Sequence, residues 1–167
     1  SGSLPKGADS NTYLSLAESA GKDVKVVVDA TGETLMQALK AKPFLTKPNI
    51  DELWDIFGLE GCSVEEVKSY AEKLREMGAK NVLVSLGGEG ALLLDMNGNT
   101  HFQAAHKGRV INTVGAGDSM IAGFIHCYEQ TKNFEQSLKF AVSAGSATAF
   151  SRWLAEKDLI ENLYNTL

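Results

Sequence analysis

A chain of 167 residues, 44% of them hydrophobic, is long enough for one compact domain that buries roughly two thirds of its unfolded surface. Its formal net charge of -5, with no compensating basic run, argues against nonspecific binding to nucleic acid or to an anionic membrane. The two cysteines, Cys62 and Cys127, match no metal or redox spacing, and no signal peptide or long apolar run is visible, so a reduced, cytoplasmic protein is expected.

Residues 1–7 read as loop, punctuated by Pro5 and Gly7. Asp9 or Ser10 can cap a helix that runs to about Gly21. Val24-Lys25-Val26-Val27-Val28-Asp29 is a β-branched run and reads as a buried parallel strand ending on a carboxylate. Helix returns over 32–40, residues 44–47 are short and extended, and another helix spans 49–57. Ser63-Val64-Glu65-Glu66 has capping-box spacing and opens a helix that stops at Gly78. Residues 81–86 form the next strand, which Gly87-Gly88-Glu89-Gly90 turns into a strand over 91–95. Asn97-Gly98 is a hairpin signal that pairs this strand with 100–105, and three helices follow, over 117–131, 134–151 and 157–164. Strand–helix alternation followed by a hairpin and helices predicts an α/β domain with a mostly parallel sheet. Ligands of such sheets gather at the carboxyl ends of the strands, where Asp29, Lys47, Ser85 and Asp118 fall.

The most informative stretch is Asn112-Thr113-Val114-Gly115-Ala116-Gly117-Asp118-Ser119, followed by the apolar Met120-Ile121-Ala122-Gly123-Phe124. Gly115, Ala116 and Gly117 leave backbone N–H groups uncovered at the start of a buried helix, which is an anion site. Asp118 then sets a carboxylate beside a site built for negative charge. That arrangement is costly unless the chemistry needs a base, so the motif points to phosphoryl transfer with Asp118 as the base.

Other groups carry two readings each. Lys47, Asn49, Asp51 and Glu52 at a strand exit can hold nucleotide phosphates and hydrated Mg²⁺, while Asn at the cap with Glu three residues on is also a helix start. Asp29 is an outer carboxylate for magnesium or a polar residue ending a strand. Ser85, Gly87, Gly88 and Gly90 let a nucleotide approach the backbone or simply turn two strands, and the sequence is neither a Walker A loop nor a dinucleotide fingerprint. The small residues of Ala141-Val142-Ser143-Ala144-Gly145-Ser146-Ala147 give a flat wall for a purine or permit close helix packing. His101, His106 and His126 make no metal spacing and are expected to be solvated or packed.

The 112–118 motif, with Ala122-Gly123 beyond it, resembles the second signature of the ribokinase-type (pfkB) carbohydrate kinases. Ser1-Gly2-Ser3-Leu4-Pro5, Lys47-Pro48-Asn49 with Glu52, the 85–90 loop and Ala144-Gly145-Ser146-Ala147-Thr148 follow in that family's order and approximate spacing. The whole set is most similar to the branch with 1-phosphofructokinase, tagatose-6-phosphate kinase and the minor 6-phosphofructokinase.

The resemblance implies a ribokinase-like three-layer α/β fold and ATP-dependent phosphorylation of a ketohexose monophosphate, fructose-1-phosphate first and tagatose-6-phosphate next. It implies Asp118 as catalytic base and the amides of Gly115, Ala116, Gly117 and Asp118 as the anion hole. Asn49 and Glu52, with Asp29, match positions that organise Mg²⁺ and phosphate. Lys47, Asn49, Ser85, Gly87, Gly88, Gly90 and Ser146 match nucleotide contacts, and Ser3 matches a sugar-phosphate contact. Thr113 and Val114 lie in the span, near Asn112, whose carbonyls hold a monovalent cation such as K⁺ in some members.

Two departures stand out. The chain starts where family members are well under way, so residues 1–167 are expected to be a single domain, the C-terminal ATP-binding portion of a longer, homodimeric sugar kinase. The β-lid and most sugar contacts would then be absent, and the piece alone inactive and prone to self-association. Arg152-Trp153-Leu154 also stands where the family commonly shows a small or glycine-containing segment. A non-catalytic nucleotide-binding fragment and a kinase of a free sugar or nucleoside remain as alternatives.

Overall fold

The computed structural model describes residues 7–21, 23–59 and 63–166. Ser3 and Cys62 therefore lie outside the described residues. Five strands, β1 (Val27–Val28), β2 (Leu45–Thr46), β3 (Asn81–Ser85), β4 (Ala91–Leu94) and β5 (Thr100–Gln103), form one sheet in chain order. β1, β2 and β3 pair in parallel, with Val27 opposite Leu45 and Leu45 opposite Asn81. The chain then returns through two short connections, so the sheet is mixed.

Contacts group the chain into two compact units, Ser1–Ser85 with Leu93–Thr100, and Leu86–Leu92 with His101–Leu167. The first holds α1 (Thr12–Ser19), α2 (Gly32–Ala38), α3 (Ile50–Phe57) and α4 (Val64–Glu76). In α4, Val67, Ala71 and Leu74 are fully buried at helical spacing, and charged residues take the opposite face. In β3, Val82, Leu83 and Val84 are all fully buried, so both faces of the strand are covered, as its uninterrupted apolar run requires. Asn81, also buried, donates from Nδ2 to the Phe44 carbonyl (2.6 Å) and accepts the Met96 amide at Oδ1 (2.8 Å). It thus ties the neighbouring strand and the hairpin to β3.

The first helix and the first strand depart most from the spans read in the sequence, while β5 and α6 each end two residues sooner than read. The first helix starts at Thr12, with Asn11 as its cap, because the Asp9 carboxylate accepts the Asn11 amide (2.9 Å) and closes a turn ahead of the helix. It ends before Gly21, since Ala20 is already extended. The 24–29 strand shrinks to Val27–Val28, because the Val24 amide is spent on the Gly21 carbonyl (2.9 Å) in a turn. β propensity marked the run, but pairing sets its length.

The second unit holds α5 (Ala116–Thr131), α6 (Phe134–Ala149) and α7 (Lys157–Asn165). Lys132, in the left-handed region, ends α5, and Asn133 starts α6 by accepting the Gln136 amide (2.9 Å). Glycines set how closely α5 and α6 approach. A Cβ on Gly145 would lie 2.5 Å from Met120 Cγ, and one on Gly123 would lie 2.9 Å from Ala144 Cβ. Ala141, Ser143, Ala144 and Ala147 are buried, so the small-residue run serves close packing.

Candidate active site

In the first unit the carboxyl ends of β1, β2 and β3 gather the expected groups. Asp29, just past β1, pairs with Lys47, just past β2: Nζ lies 3.4 Å from Oδ1, and the two side chains are 6% and 19% exposed for Lys47 and Asp29 respectively. A lysine that buried is placed by its ion pair, not by chance at the surface. Next in sequence, Asn49 caps α3 through a complete capping box. Its Oδ1 accepts the Glu52 amide (2.8 Å), and Glu52 Oε2 accepts the Asn49 amide (2.8 Å). The Asn49 backbone also bridges Ser85 in parallel, and the Ser85 amide donates to the Pro48 carbonyl (3.1 Å). Asp29, Lys47, Asn49, Glu52 and Ser85 therefore share one end of the first unit's strands.

Among the described residues no three His, Cys, Asp or Glu side chains gather closely enough to hold a metal ion by themselves. The donor set still suits Mg²⁺, which keeps its waters and takes one or two carboxylates together with substrate phosphates. Glu52, Asn49 and Asp29 are the candidates present at that strand end.

The glycines of the 87–90 turn separate into two kinds. Gly87 (φ +58°) and Gly88 have no atom within 4 Å of where a Cβ would sit, so their backbone is uncovered and a flat ligand can approach it. Gly90 (φ +114°) is needed for the turn itself, because a Cβ there would lie 2.0 Å from the Gln103 carbonyl oxygen. Gly90 thus serves the turn, while Gly87 and Gly88 present open backbone.

In the second unit Gly115 caps α5 with φ 80°, and Asp118 stands exposed in the helix's first turn. Only glycine adopts such a φ readily, so the bend that aims the helix start is written in this one residue. Gly117 and Asp118 occupy first-turn positions for which the helix ladder offers no carbonyl. The Ala116 amide is engaged: it donates to the Thr113 carbonyl (3.1 Å). Of the amides expected to form the anion hole, this one has a partner inside the chain.

What holds this loop was not read from the sequence. The Ile111 and Asn112 amides both donate to the Ala149 carbonyl (2.8 and 3.2 Å). Thr148, 1% exposed, donates from Oγ1 to Ser119 Oγ (2.8 Å) and accepts the Ala155 amide (3.3 Å). Asn112 Nδ2 donates to the Arg152 carbonyl (3.3 Å), and its Oδ1 accepts the Val114 amide (3.0 Å). Leu154 Cδ2 lies 2.9 Å from where a Cβ on Gly115 would sit. The end of α6 and the Arg152-Trp153-Leu154 segment are thus the mould in which the 111–119 loop is set.

Ser146, expected at the nucleotide, accepts the His106 amide (3.4 Å). His106 Nε2 lies 3.0 Å from Ser143 Oγ, and that hydroxyl donates to the Lys139 carbonyl (2.9 Å). With its single proton given to a carbonyl, the Ser143 oxygen accepts, so Nε2 carries the imidazole proton. Burial, and then the nearby Lys139 charge, push the His106 pKa below the usual histidine value and favour this neutral form.

A model of the pfkB family of carbohydrate kinases matches residues 1–157. The 1-phosphofructokinase of Bacillus subtilis is 42% identical over 163 residues, 97% of this chain and 54% of that protein. The D-tagatose-1-phosphate kinase of Bacillus licheniformis is 40% identical over 158 residues, 93% of this chain and 52% of that protein. Phosphofructokinase-2 of Escherichia coli, solved in complex with substrates and products, superposes with a TM-score of 0.89 at 32% identity, covering 100% of this chain and 55% of that one. Arabidopsis thaliana ribokinase shares the fold, with a TM-score of 0.81 at 24% identity. The chain spans about half the length of the curated relatives it matches. Its mixed five-stranded α/β fold is ribokinase-like, and the chain belongs to the pfkB family of carbohydrate kinases.

Proposed function

We propose that these residues serve phosphoryl transfer from ATP to a hydroxyl of a ketohexose monophosphate, fructose-1-phosphate to fructose-1,6-bisphosphate in the first place. A tagatose phosphate is the next acceptor, and the Bacillus licheniformis relative, named for tagatose-1-phosphate, favours that isomer over tagatose-6-phosphate. One observation carries the reading: an exposed Asp118 in the first turn of a sixteen-residue helix, directly behind a left-handed Gly115.

The acceptor hydroxyl would attack the γ-phosphorus of ATP, forming the new O–P bond as the bond to the β-phosphate oxygen breaks. In a loose transition state the hydroxyl proton leaves late, so Asp118 orients the hydroxyl first and takes its proton last. Positioned bases of this kind are worth about 10²–10⁴ in rate. The amides of Gly117 and Asp118, at the positive end of α5, stabilise charge on the transferred group. Mg²⁺, held through Asn49, Glu52 and Asp29, supplies charge neutralisation to the phosphates when bound. Lys47, Ser85, Gly87, Gly88 and Ser146 hold the nucleotide, and Ser3 the sugar phosphate. The same reading makes the enzyme a cytoplasmic homodimer.

The test has two arms. Calorimetry of this chain with Mg·ATP is expected to give saturable heat. Joined to the part of the Bacillus subtilis enzyme that it does not match, the chain is expected to phosphorylate fructose-1-phosphate, with tagatose-1-phosphate, tagatose-6-phosphate and ribose as competitors. The absence of both heat and turnover would sink the proposal. Heat without turnover would favour a nucleotide-binding role without transfer, and preference for ribose a kinase of free sugars.

A further inference from the structure

The stretch 111–119 is fastened at its two ends to consecutive residues of α6. At one end the Ala149 carbonyl accepts the Ile111 and Asn112 amides (2.8 and 3.2 Å). At the other, Thr148 donates from Oγ1 to Ser119 Oγ at 2.8 Å. The Ser119 amide in turn donates to the Gly115 carbonyl at 2.9 Å, closing the first turn of α5. Gly117 and Asp118 are therefore strung between Gly115 and a serine whose side chain is anchored to α6.

This turn has little packing of its own. Gly115 and Gly117 carry no side chain, and Asp118 is exposed. The Thr148 hydroxyl, by contrast, has one setting: its proton goes to Ser119 and its oxygen accepts the Ala155 amide at 3.3 Å. At 1% exposure no water replaces the bond to Ser119 when it is lost. Phosphoryl transfer is sensitive to such settings, since a misplacement of about 1 Å at the reacting groups can cost a factor of about 10².

We propose that Thr148 is a positioning residue for the phosphoryl transfer. Through Ser119 it sets the rotation of the first turn of α5, and so the direction of the Asp118 carboxylate and of the Gly117 and Asp118 amides. The proposal rests on the reading of Asp118 as base. Ser146 is the residue of α6 that meets the nucleotide in that reading, whereas the buried Thr148 acts only through Ser119. Its loss therefore falls on kcat and spares the KM for Mg·ATP.

The test uses the chain joined to the unmatched part of the Bacillus subtilis enzyme. Thr148→Val is expected to lower kcat roughly 10-fold, with the KM for Mg·ATP within about threefold of the parent. Thr148→Ser keeps the hydroxyl and is expected to restore most of the rate. Ser119→Ala removes the same bond from its other side and is expected to repeat the loss. Thr131→Val controls for loosening alone. It removes two bonds at the far end of α5, to the Cys127 carbonyl (2.9 Å) and from the Asn133 amide (3.2 Å), and should leave kcat unchanged. In this chain by itself, residual dipolar couplings read the N–H directions of Gly117 and Asp118, which Thr148→Val should turn and Thr148→Ser should keep. A kcat within about twofold of the parent for both Thr148→Val and Ser119→Ala overturns the proposal. So does an equal fall for Thr131→Val. If the parent turns nothing over, or Asp118→Asn costs no rate, the functional reading falls. The N–H directions then decide whether Thr148 sets this turn, and unturned ones overturn the proposal.

Discussion

Thr148 and Ser119, twenty-nine positions apart, share a hydrogen bond of 2.8 Å from one hydroxyl to the other, and Ser119 follows Asp118 directly. The same Thr148 oxygen accepts the Ala155 amide, so one buried hydroxyl binds the first turn of α5 and the segment after α6. Thr148→Val keeps the shape and removes both bonds. It is expected to cost about 1–2 kcal/mol in urea unfolding. Thr148→Ser keeps the hydroxyl and should recover most of that loss, whereas a Val variant as stable as the parent beside a destabilised Ser variant would mean that the methyl group, not the hydroxyl, matters here.

Asp118→Asn tests the base. In the active chimaera kcat should fall by at least about 10²-fold, while the calorimetric affinity for Mg·ATP changes less than about threefold. Asparagine keeps the side chain's size, so the cost to folding is limited to the carboxylate's charge at the helix start and its contact within the chain, about 0.3–1 kcal/mol. Turnover within tenfold of the parent would remove Asp118 from the mechanism.

The two kinds of glycine give opposite expectations. Gly145→Ala drives a methyl toward Met120 Cγ at 2.5 Å and should destabilise the chain by about 1–3 kcal/mol. Gly88→Ala meets no atom within 4 Å and should leave unfolding unchanged within about 0.5 kcal/mol. If a nucleotide lies on that backbone, Gly88→Ala should nevertheless weaken Mg·ATP binding. Undiminished heat would free the 87–90 turn from any role in nucleotide contact.

His106 gives a pH dependence of known sign. Its folded pKa lies below the ordinary value because burial, then Lys139, disfavour the imidazolium. The unfolded chain therefore binds the extra proton first as pH falls, and stability drops from about pH 7 downward until the folded form titrates as well. Above that window the contribution is constant. Chemical denaturation at pH 7.5 and 5.5 should show a smaller acid loss for His106→Asn than for the parent. Identical losses would place the proton uptake elsewhere.

How much was legible depends on the distance over which each feature is written. The two capping boxes, Asn49 with Glu52 and Ser63 with Glu66, were visible because both partners lie within one turn, and both formed as expected. The turn at Asn97-Gly98 was visible for the same reason, and there the Asp95 carboxylate gathers the Asn97 and Asn99 amides. The His106–Ser143, Asn112–Arg152 and Thr148–Ser119 contacts were not visible, since twenty-nine to forty residues separate the partners and no spacing rule spans that gap. Of the motif at 112–119, the residues could be read but not their supports. Ala116 shows the cost of that: as a bare sequence its amide looks open, and only the fold shows Thr113 taking it.

Gly115 bears two constraints at once, a left-handed φ of 80° and a Leu154 methyl 2.9 Å from where its side chain would begin. Binding through main-chain amides is indifferent to most side chains, so the proposed anion hole would tolerate substitution at many of the surrounding positions. Gly115 has no such freedom, because its φ of 80° strains any residue with a side chain, while the exposed Leu154 can swing its methyl aside. The backbone angle at one glycine, more than any side chain around it, therefore decides where the amides of the proposed phosphate site point.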